Sequence, residues 1–233
     1  MRSRWLRTTE PYLLHQKLLK GDKPYTEIYE KIKHLRSPAL WHLTIERAHK
    51  ATIGMSAIWK LYMEMKKRHT VPDQYTYALM CCIMADKPVL KNKDRLNAIY
   101  NKVGMMNTVV LNTYTHALIK NDMMDSYLGI ISHLSKHTPD FPLPLIDVAP
   151  LQKVSLTPHV FKVGFNGISQ SHDTAHFNYL YHILSHHGFK MHYDLRVKFA
   201  INDCVVKGIP SIDTSAIQHH FPSPSSQTHE ATE

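Results

Sequence analysis

Ile58-Trp59-Lys60-Leu61-Tyr62-Met63-Glu64-Met65 sets Ile58, Leu61, Tyr62 and Met65 at i, i+3, i+4 and i+7. That spacing lines one side of a 3.6-residue helix with apolar groups and leaves Lys60 and Glu64 on the other side. The same spacing returns four times: Tyr25, Ile28, Tyr29, Ile32; Leu96, Ile99, Tyr100, Val103; Tyr127, Ile130, Ile131, Leu134; and Phe177, Leu180, Tyr181, Leu184. The first members stand 33, 38, 31 and 50 residues apart. Near-periodic recurrence of one helical stripe is the mark of a repeat array, in which each hairpin buries its face only against the next.

Between the stripes lie further helical segments, at about Ser37–Lys50, Gln74–Ala85, Leu111–Asn121, His159–Ser169 and His192–Val206. Each repeat therefore reads as a helix A followed by a helix B. The long interval contains Pro139, Pro142, Pro144, Pro150 and Pro158, and is read as a proline-rich loop inserted at about 137–158. The predicted fold class is all-α, an α-solenoid of stacked helix–turn–helix repeats over residues 11–208. Residues 1–10 form a basic arm or a short targeting segment. Residues 209–233, rich in Ser, Pro, His and Thr, have little to bury and are expected to be disordered.

Composition narrows the function. Only 8 glycines occur in 233 residues, few for the turns of an α/β enzyme or a β-sandwich. Lys and Arg number 28 against 19 acids, a formal +9, and 18 histidines add positive charge as pH falls. That balance favours polyanionic partners. Cys81, Cys82 and Cys204 form neither a disulfide framework nor a C-x-x-C pair, and fit a reducing compartment. No apolar run of membrane-spanning length is present. Arg2, Arg4 and Arg7, with no acid before Glu10, look like the start of a mitochondrial transit peptide, or simply a basic arm.

Catalytic and metal motifs are lacking. No glycine-rich phosphate loop and no G-x-S-x-G elbow occur. His182 and His186 stand at i, i+4, with Asp173 and His176 upstream, but without H-E-x-x-H they read as a histidine-rich solvent face. Asp122, Asp125 and Asp173 read as helix caps or first-turn residues. Tyr29, Tyr62, Tyr100 and Tyr181 read as core rather than as stacking platforms. The chain is therefore expected not to be an enzyme and to need no cofactor and no metal.

One segment is more specific. Helix B residues Ile58 to Met65 are followed, seven residues after Met65, by Pro72-Asp73, and then by Tyr75-Thr76-Tyr77-Ala78-Leu79-Met80. This resembles the pentatricopeptide repeat, in its eroded fungal mitochondrial form. Thr113-Tyr114 with Ala117-Leu118-Ile119 echoes the opening of helix A, and Leu184 with Gly188 the end of helix B. The resemblance implies sequence-guided binding of single-stranded RNA in mitochondria or plastids, in processing, stability, splicing, translation or small-subunit rRNA maturation. It also implies that the base-reading residue lies just after the helix A tyrosine, which gives His42, Tyr77 or Ala78, His116, Lys162 and Arg196 as candidates. Lys162 and Arg196 are expected to face the groove. About five repeats would read about five bases, so a partner protein or a longer parent chain is expected to supply further specificity. The alternative is a tetratricopeptide-like protein scaffold, or a structural subunit of a mitochondrial ribosomal assembly.

Overall fold

The computed structural model describes residues 14–18, 20–21, 23–186 and 194–209. The basic arm and nearly all of the expected disordered tail lie outside them. Among the described residues there is no strand, and the chain is all-α. Among the described residues ten helices have both ends placed, besides helical residues at 14–18: α1 Tyr25–Ile32, α2 Pro38–Lys50, α3 Met55–Lys67, α4 Gln74–Asp86, α5 Asn92–Tyr100, α6 Thr108–Lys120, α7 Met124–Ser135, α8 Pro158–Ser171, α9 Thr174–His186 and α10 Leu195–Val206. Residues 136–157 hold only a single 3-10 turn, Ala149–Leu151.

The helix A segments share a start signal. Asp73 accepts from Thr76 N at 2.8 Å, Asn107 from Val110 N at 2.9 Å, Thr157 from Val160 N at 3.4 Å and Asp194 from Arg196 N at 2.9 Å. Ser37 occupies the same position before Pro38, without the side-chain bond. Each cap satisfies an amide that the first turn leaves without a helical acceptor. At Asp73 the cap is reciprocal, because Thr76 Oγ1 takes the Asp73 N–H at 3.1 Å. The caps recur at intervals of 36, 34, 50 and 37 residues.

The chain divides into two compact units. The N-terminal unit comprises Met1–Asp122 with Ala149–Lys153. Within it α2, α4 and α6 pack side by side in chain order; α1 and α3 pack on α2, and α5 packs on α4 and α6. Ile28, Ile32, Leu40, Trp41, Leu43 and Met65 form one buried cluster with Leu18. Tyr62 and Met65, on the apolar stripe of α3, are both buried. Met106 N–H donates to Pro150 O at 2.8 Å, which secures the 149–153 segment in this unit.

The C-terminal unit comprises Met123–Val148 with Val154–Glu233. Here α8 packs on both α9 and α10. Phe165 and Phe177 meet with ring centroids 5.3 Å apart, and the Tyr127 hydroxyl donates to Val160 O at 3.0 Å.

Two helix starts differ from the sequence reading by more than one residue, and in one stripe the last residue lies past its helix. Helix α6 begins at Thr108 rather than Leu111: the Asn107 cap overrides the weak helix preference of the β-branched run Thr108-Val109-Val110. Helix α10 begins at Leu195, because Asp194 caps there; His192 lies outside the described residues. Helix α5 ends at Tyr100, so Val103 is buried from beyond the helix. Asp122 caps nothing: it sits in the left-handed region, φ 54°, ahead of Met123. Asp125 does lie in the first turn of α7, and Asp173 accepts from His176 N at 3.1 Å.

Candidate nucleic-acid interface

Counting from the caps puts the helix A segments in one register. Two residues past the cap stand Ala39, Tyr75, Val109, His159 and Arg196, of which only His159 is not fully exposed. Nine past stand Glu46, Cys82, His116, Asn166 and Asp203, all exposed or half-buried. Thirteen past stand Lys50, Asp86, Lys120, Gln170 and Lys207, all exposed. Intervals of seven and four keep these positions on one helix side. Each helix A thus carries a solvent-facing row of mostly polar side chains.

Five past the cap, at the same height on each helix, stand His42, Ala78, Asn112, Lys162 and Phe199. The six sequence candidates therefore do not share one register. His42, Ala78 and Lys162 do; Tyr77 lies one residue earlier, His116 one turn later and Arg196 one turn earlier. The residues that belong with the first three are Asn112 and Phe199, which the misplaced helix starts concealed. The Asn107 and Asp194 caps were the signal that would have found them.

Burial divides the candidates further. His42, Tyr77 and Ala78 are buried, His116 and Lys162 are half-buried, and Arg196 is exposed. Tyr77 turns inward and donates to Lys102 O at 3.0 Å. Arg196 grips Asp194 through Nε at 2.9 Å and Nη2 at 2.5 Å, and this fork holds the Asp194 carboxyl down at about 2.

The rows of α2 and α4 meet at a half-open cleft of about 320 Å³ lined by His15, Ala39, His42, Leu43, Glu46 and Tyr75. The Tyr75 hydroxyl donates to Glu46 Oε1 at 2.5 Å, and the carboxylate beside it pushes the phenol up to about 12. The His42 ring lies 4.7 Å from that of Tyr75 and its Nε2 meets Thr76 Oγ1 at 2.7 Å. Burial lowers the His42 pKa, against the upward pull of Asp73 and Glu46. Further along the same two helices, His49 Nε2 meets Asp86 at 3.1 Å.

In the C-terminal unit the imidazoles gather. His182 and His186 lie 4.0 Å apart, and His137 lies 5.6 and 5.8 Å from them. His176 instead pairs with Asp173 at 2.9 Å. Among the described residues no three His, Cys, Asp or Glu are grouped to hold a metal ion.

Charge is divided unevenly between the units. The N-terminal unit has 22 of the 28 Lys and Arg and 10 of the 19 acids, a formal +12. The C-terminal unit is left at −3, with 12 of the 18 histidines. No described helix is long and apolar enough to cross a membrane. No family model, curated protein or solved structure matches the chain.

Proposed function

We propose that this chain is an RNA-binding adaptor: an α-solenoid of pentatricopeptide-like helix pairs that takes single-stranded RNA along its helix A rows. It acts by binding and not by catalysis. The observation that carries this reading is in the N-terminal unit. A formal +12 coincides there with three helices packed in chain order, each exposing a row of mostly polar side chains. Lys50 and Lys120, at the ends of the α2 and α6 rows, would hold phosphates, and side chains within the rows would meet unstacked bases; the α4 row ends instead in Asp86, paired with His49. The resemblance in Ile58–Met80 and the arginines at the start of the chain support a place in mitochondrial RNA metabolism, in transcript processing, stability, splicing or small-subunit rRNA maturation.

The test is binding of the full chain to labelled single-stranded RNA of random sequence over a salt series. Micromolar or tighter binding that weakens as salt rises is the expected result, with selection of bound sequences to reveal any preference. A double-stranded competitor that displaces the RNA equally would reduce the reading to nonspecific polyanion binding.

A second reading is favoured by one observation in the C-terminal unit. Leu195, Phe199 and Val206 lie exposed along α10, in a unit whose formal charge is −3. An apolar helix face on a weakly acidic unit suits a protein partner, as in a tetratricopeptide-like scaffold or a subunit of a mitochondrial ribosomal assembly. Failure of RNA binding at low salt, with a protein captured through α10, would favour it.

A further inference from the structure

The geometry points to the cleft between α2 and α4 as a guanine-reading pocket, in which Tyr75 stacks the base and the Glu46 carboxylate reads its Watson–Crick edge; this rests on the RNA-binding reading above. The platform comes first. Tyr75 is 54% exposed, yet its ring is held in place. Its hydroxyl is tied to Glu46 at 2.5 Å, and the ring centroid lies 4.7 Å from that of His42 with the two planes tilted by 47°. An exposed aromatic ring already fixed in orientation gives up little entropy when a base stacks on it.

The edge contact then selects the base. A carboxylate only accepts hydrogen bonds, and it has two oxygens to do so. Oε1 takes the Tyr75 hydroxyl and keeps a second lone pair, while among the described residues Oε2 has no bonded donor. The matching base edge must therefore offer two neighbouring donors. Guanine does, with N1–H beside the 2-amino group. Adenine and cytosine set one amino donor beside a ring-nitrogen acceptor. Uracil flanks its single N3–H with two carbonyl oxygens that face a carboxylate unfavourably. Guanine alone fills both oxygens without an acceptor–acceptor clash. Lys50, one turn beyond Glu46 on the same row, offers a cation for the phosphate of that nucleotide.

The test measures binding of the full chain to fluorescein-labelled heptamers, oligo-U with a single central U, A, G or inosine. Guanine at the centre is expected to bind about tenfold tighter than adenine, as for one bidentate edge contact. Inosine, which keeps N1–H and lacks the amino group, should fall between them. Glu46→Gln should bring the guanine heptamer down to the adenine level and leave all-U binding within about twofold, with an unchanged circular dichroism spectrum. Equal binding of guanine and adenine by the native chain overturns the pocket and leaves RNA binding standing. So does a Glu46→Gln variant that stays folded and keeps its guanine preference. No binding of any heptamer at low salt overturns both readings.

Discussion

The side-chain amide of Asn92 donates to Oδ1 of Asn121 at 3.0 Å, and both side chains are buried. Around this bond lies a polar network that joins four helices of the N-terminal unit. Asn92 Nδ2 also reaches Lys87 O at 2.9 Å and Met84 O at 3.3 Å, just past and near the end of α4. Asn121 Nδ2 takes Met84 O at 3.0 Å and Ala117 O at 2.8 Å. Arg95 donates to Asn92 Oδ1 at 3.1 Å and to Ser56 Oγ on α3 at 3.3 Å, and its guanidinium lies 5.5 Å from the Trp59 ring. The last carbonyls of a helix have no amide of their own to accept from, and where two helix ends are buried together the donors must come from side chains.

Asn92→Leu is therefore expected to destabilise the fold by about 2–4 kcal/mol, because it strands the Asn121 Oδ1 and Lys87 O acceptors, leaves Met84 O with Asn121 alone and takes one of Arg95's two acceptors. Urea unfolding followed by circular dichroism measures it. A loss under about 0.5 kcal/mol would mean that water replaces the asparagine.

Gly164 reverses the usual rule for helix glycines. It lies inside α8, where alanine ordinarily gains up to about 1 kcal/mol. A Cβ there would meet the Tyr127 hydroxyl, and would come within 2.7 Å of Tyr127 Cζ and 2.8 Å of Leu180 Cδ1. Gly164→Ala should therefore cost about 1–3 kcal/mol through overpacking. Tyr127→Phe in the same chain should recover part of that loss, so the two changes will not add. Thermal melts of the four proteins of the cycle decide it, and simple additivity would dismiss the close approach.

These two sites show what the sequence could and could not reveal. The stripes were readable because apolar spacing is a local property: Ile58, Tyr62 and Met65 announce their buried side without any partner. The Pro72-Asp73-x-x-Thr76 cap was readable for the same reason. Nothing local in the sequence singles out Asn92, Arg95 and Asn121, since what they satisfy is assembled from helices far apart in the chain. His42 looked like a groove residue, and is buried because α4 closes over it. The rows that hold Glu46 on α2 and Tyr75 on α4 needed the caps to be placed correctly, and at α6 a β-branched first turn disguised the cap.

Acid should weaken the fold through its histidines. Burial depresses the His42 pKa, and burial together with His186 and His137 depresses that of His182, both below the ordinary value of 6.5. The unfolded chain then takes up these protons before the folded one does, so the stability contribution is complete above about pH 6.5 and is lost as pH falls below it. The Tm should drop between pH 7.5 and 5.5. His42→Gln, which keeps a side-chain amide near Thr76, should drop less over that interval. An equal drop in both proteins would assign the acid sensitivity to other groups.

The direction of RNA contact can be tested by charge position. Lys50 and Lys120 both stand thirteen residues past their caps, exposed on α2 and α6 of the unit with a formal +12. Lys162 is half-buried in the unit with a formal −3, and Arg196 is already held by Asp194. Lys66 and Lys67 end α3, on the second helix layer, with Lys66 Nζ 5.6 Å from the Tyr62 ring. Each pair replaced by alanine removes two charges, so net charge is controlled. Removing two phosphate contacts to a single strand should lower the salt slope by about 1.4. Lys50→Ala with Lys120→Ala is expected to show that full change. Lys162→Ala with Arg196→Ala should show less than half of it, because breaking the Arg196 fork releases the Asp194 charge where the arginine was never free to bind phosphate. Lys66→Ala with Lys67→Ala should show the least. Equal slopes in all three would mean diffuse attraction with no reading face, and the largest loss at Lys66 and Lys67 would place the RNA on the second layer.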